Sequence, residues 1–309
     1  MIDQQPKEED RLSMLTDDIL LSILARVDVR TAARTSVLST QWRRLPWLLP
    51  EISINAKKFL PVPGQNPIEA KNMEEAMASL TKATRSFLVN RHRETSIFTL
   101  HLKIYPINTF LCEVGPLVSD TVESGLLKEL DLAILDKIGL WESNFEEEDM
   151  LQRAQNIDNF FSIYPIVLHC LTRLSLYNVR IDKLDMHHLL FESCKQLKHL
   201  GLSRCDTGDH SLFTIDAPNS KLCVLELTNC RFERLELVCL PKLEKLRWDT
   251  WVSDNVPLTF DFIPSLRELE FVYDATFGQR ELKLSELLHG TTCIHTLTLD
   301  FVGKSLDST

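Results

Sequence analysis

No apolar run in the sequence approaches the roughly 20 residues that a membrane-spanning helix needs. The N-terminus, MIDQQPKEEDR, is polar and acidic and lacks the apolar centre of a secretory signal. Cationic excess is missing as well: the formal net charge is −10, which argues against a general nucleic-acid binder with its basic face. Residues 1–50 balance, with seven acidic and seven basic residues, so the excess acid lies in the remainder. Eight cysteines are present at positions 112, 170, 194, 205, 223, 230, 239 and 293, but no CxxC pair occurs among them. Disulfide frameworks and zinc sites usually show tighter spacing, so reduced structural thiols are expected. P-loop, GxGxxG, GxSxG and HExxH motifs are all missing. The expectation is a non-enzymatic protein without cofactor or metal, binding neither nucleic acid nor membrane and residing in the cytoplasm or nucleus.

What is there begins with residues 12–49, LSMLTDDILLSILARVDVRTAARTSVLSTQWRRLPWLL. Thr16 is placed to cap a helix, with Asp17 and Asp18 in the first turn, where the helix dipole favours negative charge. Ile19, Leu20, Ile23, Leu24 and Val27 follow at helical spacing and form one wide apolar stripe. A second amphipathic piece covers about residues 30–38. Ser39 is placed to open a third, carrying Trp42 and Leu45, which Pro46 stops. A unit of under roughly 40 residues without disulfide or metal rarely folds alone, so this one needs a partner surface.

These residues resemble an F-box of the plant type. Its opening stands here as Leu15-Thr16-Asp17-Asp18-Ile19-Leu20, followed by Thr35-Ser36-Val37-Leu38-Ser39 and Trp42-Arg43. The resemblance implies docking on the linker subunit of a cullin-RING ubiquitin ligase, the S-phase-kinase-associated adaptor family. Leu12, Leu15, Ile19, Leu20, Ile23, Leu24 and Val27 would supply apolar contacts, some of them also packing on the other helices. Trp42 would be scaffold and contact at once. Thr16 and Asp28 stand where the family usually has proline, and Pro46 stands where the third helix usually continues. These departures imply looser helix starts, a shortened third helix and weaker docking.

Beyond residue 50 the chain repeats. The pattern L-x-x-L-x-L-x-x-(N/C) is clearest at LKHLGLSRC from Leu197 and LCVLELTNC from Leu222. Degenerate copies begin at Leu171, Leu243, Leu266 and Ile294, and two upstream copies at Leu127 and Ile97 fit the same frame. Spacings are 30, 44, 26, 25, 21, 23 and 28 residues, mostly within or beside the usual length of a leucine-rich repeat. Each LxL is one short strand with its leucines in a shared core and the alternate residues facing out. Cys205 and Cys230 take the N/C position and read as structural, which argues against a metal site of Cys194, His199 and Cys205. Trp248 takes an inward position, and Trp251 is a bulky group at the N/C position. Extra strands are expected at residues 212–215 and 235–237, as in irregular plant repeats.

Ile52-Ser53-Ile54 is a first strand, and a Pro/Gly loop follows at residues 61–67. Helical spacing covers about residues 68–90, 150–161 and 184–191. The acidic run at residues 142–149 reads as a solvated loop and helix start. His187 and His188 are adjacent, do not share a helix face and make a poor metal pair.

The expected fold is α/β: a disordered stretch at 1–10, a three-helix F-box at 11–50, then a leucine-rich-repeat solenoid at 51–309. The solenoid is a curved parallel sheet with helices and loops on its convex side and a helical, acidic insertion near 140–165. Its end is covered by residues 285–289 and neighbouring loops, or the chain is a shortened form. The concave face would carry an unknown protein target through Arg173, Tyr177, His199, Glu226, Lys245, Arg247, Asp249, Glu268 and Glu270, beside Ser175, Gly201, Ser203, Thr228, Thr296, Thr298 and Asp300. The alternatives are an adaptor-binding protein without a degradative role and a small-molecule-dependent receptor.

Overall fold

The LxL frame sets the architecture. In the computed structural model, which describes residues 14–89, 96–107, 110–137, 147–181, 186–208, 212–250, 258–274, 288 and 294–302, each of the eight repeats contributes one parallel strand to a nine-stranded sheet, and the first strand precedes them. In sheet order these are β1 (Glu51–Asn55), β2 (Ile97–Ile104), β3 (Leu127–Ile134), β4 (Leu171–Tyr177), β5 (His199–Ser203), β7 (Val224–Thr228), β9 (Lys245–Asp249), β11 (Glu268–Asp274) and β12 (Thr296–Val302). Both inward residues of each LxL from β2 to β11 are buried and form a continuous core from Ile52 to Phe271, while Leu297 and Leu299 of the last strand pack against it half-buried. Trp248 belongs to it and is fully buried.

A second sheet of three strands holds the returning segments: β6 (Leu212–Asp216), β8 (Arg234–Cys239) and β10 (Leu258–Phe262), in the order β10-β8-β6. Two of these are the extra strands that the sequence signals, and the third extends the pattern by one repeat. Helices α3 (Ala70–Val89), α4 (Gly115–Glu123) and α5 (Glu147–Ile163) cover the early strands. The spacing of apolar residues anticipates α3 and α5. It misses α4, whose start is marked by Pro116 in the first turn, where a missing N–H costs nothing.

The repeat frame needs one correction. Leu130 pairs with Leu171 and Asp131 with Arg173, with an irregularity between Leu130 and Asp131, so the two upstream copies sit two residues out of frame with the rest. A shift of two keeps every side chain on its own face.

The turns after β4, β5, β7 and β9 are built alike. Asn178, Arg204, Asn229 and Thr250 all adopt φ between 51° and 60°, the left-handed region. Each donates its backbone N–H to the next repeat: to the carbonyls of Ser203, Thr228, Asp249 and Val272, at 2.8–2.9 Å. The residue after it enters the core, Val179, Cys205 and Cys230 in the first three. Cys230 Sγ donates to the Leu202 carbonyl at 3.3 Å, and burial pushes its thiol well above the ordinary value. Burial likewise pushes Cys170 and Cys194 up to about 12, which keeps them as unreactive thiols.

Beyond these turns lies a ladder of alternating charge. Arg180 Nε donates to Asp206 Oδ1 at 2.9 Å, its Nη2 reaches Glu147 Oε1 at 3.0 Å, and Arg231 Nη1 lies 3.9 Å from Asp206 Oδ2. Arg180 and Asp206 are buried. Of the described end of the acidic run, Glu147 and Asp149 are thus occupied within the fold, Asp149 by Lys137 at 2.6 Å, while Glu148 is exposed.

The N-terminal unit differs most from expectation. Its helices are α1 (Asp17–Leu24) and α2 (Val29–Thr35), and residues 40–44 form turns rather than a third α-helix. Pro46 does not stop a helix; it sits inside a short 3-10 turn, Leu45–Leu48. Ser39 Oγ accepts from the Trp42 N–H at 3.3 Å, which keeps the start of the expected segment. Leu12, Trp251, residues 1–10 and 142–146, and most of 285–289 lie outside the described residues.

Candidate functional site

The F-box-like unit has a core of its own, made of Leu20, Leu24, Ala32, Trp42, Leu45 and Leu49. This divides the wide apolar stripe of α1. Leu20 and Leu24 face inward and are buried, while Ile19, Ile23 and Val27 stand on the outer edge, 48%, 39% and 39% exposed. Leu15 is half-buried. Of the eight residues nominated as adaptor contacts, Leu20, Leu24 and Trp42 are therefore internal scaffold. Three apolar residues absent from that set, Met14, Val37 and Leu38, are exposed on the same unit. A 3.6-residue period shows that a stripe exists but not which edge of it the chain's own helices cover.

Polar contacts hold the unit in shape. Gln41 Nε2 donates to the Leu15 carbonyl and to Asp17 Oδ1, both at 3.1 Å, and Arg44 Nη2 reaches Asp17 Oδ2 at 2.8 Å. Thr16 makes no side-chain cap bond. Asp28, in contrast, caps α2 fully. It accepts from the N–H groups of Arg30 and Thr31 at 3.0 and 3.1 Å and from Thr31 Oγ1 at 2.7 Å. The expected loss of rigidity at Asp28 is thus overturned, because a capping carboxylate replaces what a proline ring would fix.

Asp28→Ala is expected to cost about 1 kcal/mol of local stability, read by amide exchange in α2 with the solenoid unchanged. The carboxyls of Asp17 (Gln41 first, then Arg44) and Asp28 (the Thr31 hydroxyl first) are both held below the usual aspartate value. A lowered folded value stabilises fully above the ordinary aspartate range and is lost as pH falls through the folded value. Acid titration below about pH 4 is expected to loosen amide protection in α1 and α2; protection there that stays level through that range would contradict it.

The concave face is the second surface. Strand register lays its side chains in rows. Asp131, Arg173, His199, Val224, Lys245, Glu268 and Thr296 form one row across the sheet. Ser175, Gly201, Glu226, Arg247, Glu270 and Thr298 form the next, and Tyr177, Ser203, Thr228, Asp249, Val272 and Asp300 the third. All nine nominated residues therefore share one face. His199 Nε2 lies 2.9 Å from Glu226 Oε2, Lys245 Nζ 3.2 Å from Glu268 Oε2, and Arg247 Nη1 3.2 Å from Glu270 Oε1. Arg247 Nη2 also lies 3.8 Å from Asp249 Oδ2. The bond from His199 holds Glu226 below the usual carboxylate range, helped by Arg247 and Arg173. Burial first, then Glu226, pushes the Tyr177 hydroxyl up.

His101 and Asp131 extend this face toward the F-box-like unit, with His101 Nδ1 at 2.8 Å from Asp131 Oδ2. Their positions in the two upstream repeats mark them as outward-facing, a signal that the sequence already holds. At this end the face runs into a cavity of about 470 Å³, lined by Arg26, Lys58, His101 and Lys103 among others. Among the described residues no group of three or more His, Cys, Asp or Glu is placed to hold a metal ion, and no helix is long and apolar enough to cross a membrane. His188 pairs with Glu192 at 2.9 Å.

Comparison with known proteins agrees with both parts. Residues 12–46 match the F-box domain model, and residues 150–300 match the model described as "FBD-associated F-box protein At5g56370, LRR repeats". The chain is 28% identical over 223 residues to the F-box/FBD/LRR-repeat protein At2g04230 of Arabidopsis thaliana, covering 71% of this chain and 48% of that protein. It is 25% identical over 260 residues to F-box protein At3g03040 of the same plant, covering 81% and 52%. With F-box/FBD/LRR-repeat protein At5g53840, also from Arabidopsis thaliana, identity reaches 41% over 55 residues, 18% of this chain and 12% of that one. The chain spans about half the length of the first two relatives. Residues 12–46 are an F-box domain, and residues 150–300 are leucine-rich repeats of the plant FBD-associated type.

Proposed function

We propose that this chain is the substrate-receptor part of a cullin-RING ubiquitin ligase. Its F-box docks on the S-phase-kinase-associated linker adaptor, and its concave face holds a protein target. The observation that carries the reading is the edge of α1, where Ile19, Ile23 and Val27 stay in water although the stripe they belong to packs a core. Apolar groups left on one edge of so small a unit supply the favourable term for association. The concave face supports the second half. Its charges are already paired with one another, so a partner meets a fixed pattern rather than mobile side chains, which favours specificity.

The chain performs no bond chemistry in this reading. It raises the effective concentration of a target lysine at a ubiquitin-loaded conjugating enzyme. It works where that machinery is found, in cytoplasm or nucleus. Calorimetry of the purified chain against a recombinant linker adaptor tests the first half, with a one-to-one complex expected; no heat at concentrations on the order of 10 μM would sink it. The target is sought by affinity purification with the proteasome blocked, comparing wild type with the α1 variant described in the Discussion. Partners that accumulate equally with both would contradict a degradative role.

A further inference from the structure

Between the F-box and the first large helix of the solenoid runs an apolar groove of about 670 Å³ to which α1 contributes no side chain. One wall is α2 and the turn after it, presenting Arg30, Ala33, Arg34 and Val37 at i, i+3, i+4 and i+7. The other is α3, presenting Ser79, Lys82, Ala83 and Ser86 at the same spacing, with Phe87 beneath. The floor of the α3 wall is small, Ser79, Ala83 and Ser86, so a backbone can approach closely. Val37 projects into water from the opposite wall, 84% exposed. Two ridges of helical spacing with a gap between them match the way a third helix packs.

Charge selects the kind of helix. The groove is edged by Arg30, Arg34 and Lys82, and no carboxylate lines it, although the chain as a whole carries −10. Arg30 is fixed in place: its guanidinium lies 4.6 Å from the centre of the Phe59 ring, and its Nη2 donates to the Lys58 carbonyl at 3.4 Å. A cation held in position before the partner arrives loses little freedom on binding. The groove floor is tied to the F-box through Trp47, whose ring meets Phe87 at 4.7 Å.

We propose that this groove is a docking site for an acidic amphipathic helix of a partner protein, separate from the Ile19 face of α1.

The test uses the full chain and a fluorescent peptide of about 18 residues, some five helical turns. The peptide has leucine at i, i+3, i+4 and i+7 and glutamate on its other face; a second peptide carries lysine in place of glutamate. The glutamate peptide is expected to bind, and the lysine peptide at least about tenfold more weakly. Arg34→Glu with Lys82→Glu, both on exposed side chains, is expected to reverse that order with thermal stability unchanged. Equal binding of the two peptides, no binding of the glutamate peptide, or an order that the reversal leaves intact would overturn the proposal. So would a wild-type dimer in sedimentation that the charge reversal dissociates, since the occupant would then be a second copy. The variant Ile19→Asp with Ile23→Asp keeps this test apart from adaptor binding. It is expected to retain the glutamate peptide, and its loss there would move the peptide to α1.

Discussion

Ile19→Asp combined with Ile23→Asp is expected to weaken adaptor binding by at least about 100-fold while the chain stays folded. Each of these side chains keeps roughly half of its surface in water, so covering the remainder contributes about 1 kcal/mol or more, and each new carboxylate adds a desolvation cost in the complex. A total near 3 kcal/mol corresponds to about 100-fold in affinity. The choice of residues matters. Leu20→Asp, the substitution that the helical stripe first suggests beside Ile23→Asp, places a carboxylate in the six-residue core of the F-box. It is expected to unfold the F-box itself, and loss of binding would then say nothing about the interface. Surface plasmon measurements on the two double variants, with amide exchange on α1 and α2, separate the effects. Adaptor affinity at the wild-type level with Ile19→Asp plus Ile23→Asp would remove α1 from the interface.

Asp206→Ala is expected to cost about 3–5 kcal/mol, seen as a fall in Tm of roughly 6–20 °C. The carboxylate of Asp206 sits between two arginines of neighbouring repeats, and Arg180 is buried with it. Removing it leaves a buried guanidinium whose remaining carboxylate partner is the half-exposed Glu147. Asp206→Asn keeps an acceptor and should cost less. Replacing both members, Arg180→Met with Asp206→Leu, is expected to recover most of the loss, because an apolar pair leaves no charge to desolvate. A change of under about 1 kcal/mol for Asp206→Ala would mean that water reaches the guanidinium freely.

Much of this was legible in the repeat pattern. Period-two alternation fixed by leucine places Arg173, His199, Lys245 and Glu268 in one row before any coordinate is known, because strand register in a solenoid follows the repeat. The two-residue offset at Leu130 was not legible, since an even shift preserves alternation and leaves no trace in composition. The F-box showed the opposite balance. Its existence is plain from Leu15-Thr16-Asp17-Asp18-Ile19-Leu20 and Trp42-Arg43, yet the partition of α1 into Leu20 inside and Ile19 outside depends on where residues 41–49 pack. At Asp28 the comparison with proline predicts a looser helix start, whereas the capping chemistry of the Asp-Val-Arg-Thr order predicts the cap that forms. The basic groove is not legible in the sequence because Lys82 lies about fifty residues from Arg30 and Arg34, and only the packing of α3 beside α2 brings them together.

The nine-stranded sheet has a further consequence as a measure of distance. Its strands lie side by side at about 4.8 Å, so the path from β1 beside the F-box to β12 is about 38 Å along the curve. A target gripped near Arg173 and one gripped near Glu268 would therefore be held about 19 Å apart along the path, four strand spacings, although they would use the same kind of side chains. The rung at which a target is held sets which of its surfaces can reach beyond the F-box, and inserting or deleting one repeat would shift that reach by a single rung.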